Sequence, residues 1–326
     1  LLSNSAILAL GELFTNGARI VLVPYYVRVL TGAEIGQLAV LLAVLYASWV
    51  LCALGMGTAV RRFYAEYYRA DAFTTTLWWS RFLVALPMYL LLLVVAGAAS
   101  TLVVQQEMFH LLALAVTAGY LKAGLNIVEA RYLIREEPVR YRAFTFGHFA
   151  TSLALIIYFV SVRNMGVEGA LLGELTAYAI WTVLSALLLR GGGVPPMHAV
   201  DWRECFSYCL PTVPYVLFMW GLASVDRLLL AGYVTSEQIG IYDVGYLLAS
   251  GLSIVSLALR AAWMPSFFRT ANQENGRDGF VRTANLYLFL VVFAGLVAFV
   301  FADVLVPLVA SVAYRGSIAV FRVVVC

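Results

Sequence analysis

The chain has 326 residues, of which 63% are hydrophobic and only 12% charged, and its mean hydropathy is +0.90. Soluble globular domains carry about a quarter charged residues, so this composition excludes one and implies an integral membrane protein. The net charge of +3, with no basic-aromatic stripe outside membrane flanks, gives no ground for a nucleic-acid partner.

The apolar runs last ~20 residues and lack the short alternation of a barrel, so the spanning element is the helix. In chain order the runs predict spans over 5–27, 35–57, 78–100, 108–130, 143–162, 167–189, 207–231, 238–259 and 283–302, with a tenth starting near Ile318. The fold class is therefore all-α, with nine or ten spans. The chain closes inside an apolar run, Phe321 to Cys326, and begins with Leu1. Further helices are expected beyond it.

Arginines set the orientation. Fourteen fall after even-numbered spans: Arg61, Arg62, Arg69 and Arg81, then Arg131, Arg135, Arg140 and Arg142, then Arg190 and Arg203, then Arg260, Arg269, Arg277 and Arg282. Only Arg28, Arg163 and Arg315 follow odd-numbered spans. The positive-inside rule places the even-span loops and the N-terminus in the cytoplasm.

Between spans six and seven lies Arg190-Gly-Gly-Gly-Val-Pro-Pro-Met-His-Ala-Val-Asp-Trp-Arg203. No Lys-Ser/Thr follows the glycines, so this is no Walker A loop, and ATP is not expected as the energy source. A linker stiffened by Pro195 and Pro196 is the better reading. Cys205 and Cys209 share a helix face without a His or Cys pair to complete a metal site, which predicts two small buried residues. With no Ser/His/Asp set, metal cluster or nucleotide motif, neither catalysis nor a cofactor is expected.

An internal repeat organises the chain. Thr31-Gly-Ala-Glu-Ile-Gly-Gln-Leu-Ala-Val40 and Thr235-Ser-Glu-Gln-Ile-Gly-Ile-Tyr-Asp-Val244 share Thr, Ile, Gly and Val at one offset, which also sets Phe63-Tyr64 against Phe267-Phe268. Spans one and two then correspond to seven and eight. An offset of six spans keeps the direction of the chain, as in transporters built from two parallel lobes with the substrate site between them. The predicted division is an N-lobe over 1–190, a cytoplasmic linker over 191–206 and a partial C-lobe over 207–326.

Several segments then carry a resemblance. Leu54-Gly-Met-Gly-Thr-Ala-Val-Arg-Arg-Phe-Tyr-Ala-Glu-Tyr67, Leu210-Pro-Thr-Val-Pro214, Ser224-Val-Asp-Arg-Leu-Leu-Leu230, Ile239-Gly-Ile-Tyr242 and Ala262-Trp-Met-Pro265 resemble bacterial polysaccharide-biosynthesis flippases of the Wzx type. These share a superfamily with multidrug (MATE) exporters and the lipid II flippase. The resemblance implies a MATE-like two-lobe fold of repeated six-helix bundles, the second lobe truncated here. It implies flipping of an undecaprenyl-pyrophosphate-linked oligosaccharide, for O-antigen or other surface polysaccharide, to the periplasmic leaflet of a bacterial inner membrane. Polymerase and glycosyltransferases would be functional neighbours, membrane lipids the surroundings, and H⁺ or Na⁺ the coupling ion.

Such a substrate needs cations for its pyrophosphate, and hydroxyls, amides and aromatic faces for its sugars. Span one carries Ser5, Glu12, Arg19 and Tyr26 at seven-residue spacing, nearly two helical turns, with Asn16 on the same stripe. Arg19 reads as a phosphate ligand with Glu12 as its partner or a proton or cation site; a structural Glu–Arg pair is the alternative. Lys122, the only lysine, repeats the device on span four with Asn126 and Glu129; Lys122 is the deeper candidate. Asp243 and Tyr246 on span eight, and Glu174, Tyr178 and Trp181 on span six, read as lining of the sugar path or ion-coupling groups, or as packing. Arg61 and Arg62 sit at the cytoplasmic mouth, as attractors of an anionic head group or as topology determinants. Asp226 and Arg227 point ~100° apart and read as structural. His148 is not expected to carry function.

Two alternatives to a flippase remain at this stage. One is a cation-coupled drug exporter, which calls for an acid-dominated aromatic cavity. The other is a membrane enzyme of lipid-linked sugars, which calls for a large outer loop that the chain lacks.

Overall fold

Hydrocarbon cannot hydrogen-bond to peptide groups, so a chain this apolar satisfies its backbone within helices. A computed structural model describes residues 22–66, 70–102, 108–190, 200–253, 276–310 and 312–325, and among these there is no strand. Residues 22–29 are helical and lead into α1 (Gly32–Ala53) and the short α2 (Met56–Phe63). Then follow α3 (Ala70–Val84), α4 (Leu86–Leu102), α5 (Met108–Ile134), α6 (Pro138–Ile157) with a π-helical turn over Tyr158–Val162, and α7 (Gly166–Leu189). The remainder is α8 (Trp202–Cys209), α9 (Thr212–Leu230), α10 (Ser236–Ser250), α11 (Gly276–Val300), α12 (Ala302–Ala310), a 3₁₀ turn and α13 (Ser317–Val325).

Six described helices are long and apolar enough to cross a membrane: Gly32–Ala53, Asp71–Thr101, Met108–Ile134, Pro138–Val162, Gly166–Leu189 and Trp202–Leu230. α11 and α12, bent by 73° at Phe301, add a seventh if they form one span. The protein is an all-α, multi-span membrane protein. Most of the first predicted span, and the end of the eighth, lie outside the described residues.

The third span starts earlier than hydropathy predicts. Thr74, Thr75 and Thr76 lie in α3 and are buried. Thr75 donates to the Asp71 carbonyl and Thr76 to the Ala72 carbonyl, so these hydroxyls are satisfied by their own helix. Arg81 is accordingly not a loop residue. It lies inside the span and is 1% exposed, a correction to the loop arginines that leaves their alternation unchanged.

The contacts divide the chain into one unit of residues 1–36 with 236–326 and another of 37–235. In the second unit α7 packs along both α5 and α6, and α5 also carries α2, α3 and α4. Small residues set these spacings, as membrane helices associate through close backbone approach. A methyl at Gly119 would lie 2.8 Å from the Trp49 amide nitrogen, and one at Gly173 2.7 Å from Ile156 Cγ1. Where α3 begins and α5 ends, Asp71 accepts from Arg131 at 3.0 Å and Arg135 at 3.2 Å, while Glu137 pairs with Arg135 and Arg140. The Tyr64 hydroxyl, outside the spans, donates to the same Asp71; burial, then the Asp71 charge, pushes its pKa up.

In the first unit α13 packs against α10, α11 and α12. Ala249, Ala302, Val306 and Phe321 form its apolar centre, and the Ser317 hydroxyl donates to the Ile241 carbonyl at 2.6 Å.

Candidate functional site

Lys122 sits midway along α5, where an ammonium facing lipid would be costly. The fold encloses it in rings instead. Its Nζ lies 5.6 Å from the Tyr46 centroid, 5.1 Å from Trp49 and 5.0 Å from Tyr178, within cation–π range. It also donates to the Tyr178 hydroxyl at 3.3 Å. α1 supplies Tyr46 and Trp49 one turn apart, and α7 supplies Tyr178. Three helices of one unit thus converge on a single cation.

Behind Tyr178 stands His148 of α6, stacked on the phenol at 4.8 Å and edge-on to Trp181 at 6.1 Å. The Trp181 indole donates to Thr151 at 3.2 Å and meets Phe144 at 4.9 Å. Among the described residues, His148 Nε2 and Trp49 Nε1 are buried without a hydrogen-bond partner. Buried N–H and imidazole nitrogens are normally paired. Two such nitrogens beside an aromatic-boxed ammonium mark this as the most chemically loaded part of the described chain. The stack of His148 on a side chain of another helix leaves no local signal in the sequence.

The other expected residues distribute as follows. Asn126, one turn from Lys122, is half-buried and occupied by packing, its side-chain oxygen filling the space a methyl at Gly57 would take. Glu174 lies one turn before Tyr178 on α7 and is half-buried. Asp243 is buried in α10, where Tyr242 and Tyr246 flank it with centroids 6.1 Å apart. Tyr26 is half-buried in the helical segment 22–29, its ring 5.7 Å from that of Tyr25. Glu12, Asn16 and Arg19 lie outside the described residues.

Arg61 and Arg62 are exposed on α2, directly after the break that ends α1. Arg62 pairs with Glu66 and lies 5.2 Å over Phe63. Arg227 is buried and bonded to the Ala223 carbonyl at 2.6 Å and to Asp226 at 2.8 Å, which answers its charge locally. Cys205 and Cys209 are buried, and no group of metal-ligating side chains occurs among the described residues.

Lys122, its three rings, Asn126 and Glu174 all belong to the helical bundle of one unit. Comparison with curated proteins and with solved structures returns no match. The family of polysaccharide biosynthesis proteins matches residues 1–271. That match takes in the whole aromatic box together with both copies of the internal repeat, and the chain belongs to the polysaccharide biosynthesis protein family.

Proposed function

We propose that this protein is a flippase that carries an undecaprenyl-pyrophosphate-linked oligosaccharide from the cytoplasmic to the periplasmic leaflet of a bacterial inner membrane. It works by alternating access between two MATE-like lobes, 1–190 and 207–326 joined by 191–206, and its product feeds surface polysaccharide such as O-antigen or lipopolysaccharide. The family match over residues 1–271 carries this reading. The aromatic-boxed Lys122 supports it, because pyrophosphate needs a cation and sugars stack on aromatic faces.

In this reading Arg19 and Lys122 hold the pyrophosphate, while Asn16, Asn126 and Tyr26 contact it or the sugars. Glu12, Asp243 and Glu174 partner these cations or couple transport to H⁺ or Na⁺. Arg61 and Arg62 draw the anionic head group to the cytoplasmic mouth. The chain acts without ATP or a catalytic step, beside a polymerase and glycosyltransferases.

The test is reconstitution with a fluorescent lipid-pyrophosphate oligosaccharide, comparing wild type, Arg19→Ala and Lys122→Ala after checking that each folds. Loss of transport in folded variants is the expected result. Normal transport by both would make these charges structural. Export of organic cations by a wild type that ignores the lipid would establish the drug-exporter reading instead.

A further inference from the structure

Lys122, Asn126 and Glu129 stand at i, i+4 and i+7 on α5. Their directions fall within about 60° of one another, so they share one face of the helix. That face meets α2, because the Asn126 side-chain oxygen fills the space a methyl at Gly57 would take. Arg61 lies one turn beyond Gly57 on α2, as Glu129 lies one turn beyond Asn126 on α5. Both helices run toward the side that the arginine distribution makes cytoplasmic, so the two turns advance together. Glu129 thus stands between two cations of its own unit, and the charges that act on it are those of Lys122 and then Arg61.

Glu129 is half-buried, and among the described residues it forms no hydrogen bond or ion pair. Other acids of this unit do the opposite. Asp71 touches Arg131 at 3.0 Å and Asp226 touches Arg227 at 2.8 Å, as structural pairs do. Glu129 answers its cations through space, which suffices where helices rather than water surround the charges. Two cations without an acid would be costly at this depth. An anionic cargo brings its own negative charge to the same cations, and Glu129 then repels it.

We infer that Glu129 is the resident counter-ion of Lys122 and Arg61, a residue that competes with the cargo's anionic head group for these cations and so keeps its binding reversible. The inference rests on the roles proposed above for Lys122 and Arg61. A carrier must bind firmly enough to load and weakly enough to unload. A multiply charged head group held by an arginine and a lysine in a low-dielectric site would otherwise leave slowly.

Lys122 is the only lysine, so its modification by an amine-reactive reagent, read on the Lys122 peptide by mass spectrometry, reports on this site. The probe is inorganic pyrophosphate. The quantity measured is the concentration that halves the modification rate, each protein being normalised to its own unprotected rate. Glu129→Gln is isosteric and should reach half-protection at about ten times less pyrophosphate than wild type. Glu129→Asp keeps the charge and should stay near wild type. Glu136→Gln makes the same change of charge at an exposed position after α5 and should leave the value in place. Half-protection of Glu129→Gln at an equal or higher concentration overturns the inference, as does a wild type and variant that pyrophosphate never protects. A purely structural carboxylate would lower the unfolding midpoint and leave half-protection unmoved. If Glu129→Gln does not fold, Asn126→Asp decides, since a second carboxylate on the same face should raise the concentration needed and an unchanged value overturns the inference. In reconstituted vesicles Glu129→Gln should lower KM for the labelled lipid-linked oligosaccharide and lower kcat with it, because release slows; an unchanged or raised KM contradicts the competition. Should wild type move no lipid-linked oligosaccharide, the flippase reading fails and pyrophosphate protection alone decides the counter-ion.

Discussion

Arg81 fills the space that a side chain at Gly124 would need: a methyl there would lie 2.5 Å from Nη2, 2.6 Å from Nε and 2.7 Å from Cζ. The guanidinium is answered by the Tyr120 carbonyl at 2.8 Å and by the Phe82 ring at 3.9 Å. Its Nε and Nη2 have no hydrogen-bond partner. Gly124→Ala is expected to destabilise the protein by about 1–3 kcal/mol through overpacking. Arg81→Met removes a buried charge with incomplete hydrogen bonding, so its own cost should be small. In that background the alanine penalty should shrink, a coupling of about 0.5–3 kcal/mol. Thermal unfolding of the four proteins in one detergent measures it, and additive penalties would contradict the contact.

Lys122 and Tyr178 separate charge from packing. Lys122→Met keeps the aliphatic stem against the three rings and removes the ammonium, so the unfolding midpoint should stay near wild type while transport is lost. Tyr178→Phe keeps the His148 stack and removes one acceptor, costing about 0.5–1.5 kcal/mol. Tyr178→Ala empties a buried position against which both Lys122 and His148 rest, and should cost about 3–5 kcal/mol. Midpoints for all three, with transport for the first, form the check. A Lys122→Met protein that transports normally would remove the ammonium from the substrate site.

Much of this architecture is legible in the sequence, because hydropathy and arginine placement act locally along the chain. Hydropathy alone misplaces the start of the third span, since Asp71 and the three threonines lower the average of a stretch that faces other helices rather than lipid. The same error turns Arg81 into a loop residue. The aromatic box is a different failure. Tyr46, Lys122 and Tyr178 are each visible as polar or aromatic residues within spans, yet only the packing of α1, α5 and α7 brings them together. The break at Phe301 has no glycine or proline at its point, Pro307 following only later in α12. The repeat was visible as matching letters; that its glycines touch each other required the fold.

Two exposed loop residues report the orientation. Glu136 and Asn164 both have positive φ, 55° and 53°, in the connections after α5 and before α7. The arginine distribution places the first inside and the second outside. A membrane-impermeant maleimide on intact cells should label Asn164→Cys and spare Glu136→Cys until the membrane is permeabilised. The reverse pattern would invert the topology, and with it the direction of transport proposed above.

Gly55 and Gly221 make a matched pair of opposite sign. Gly55 holds the break between α1 and α2 at φ 69°, and a methyl there would lie 2.6 Å from the Cys209 carbonyl oxygen and 2.6 Å from the Thr212 hydroxyl. An L-residue in that conformation costs about 1–2 kcal/mol before any contact is counted. The neighbouring start of α9 must then also move. Gly221, inside α9, has nothing within 4 Å of the same position, so alanine there should gain up to about 1 kcal/mol of helix propensity. Gly55→Ala should therefore lower the unfolding midpoint and Gly221→Ala raise it. Equal effects would mean that α2 and the start of α9 do not meet at Gly55, and that Arg61 and Arg62 are not held in place by that break.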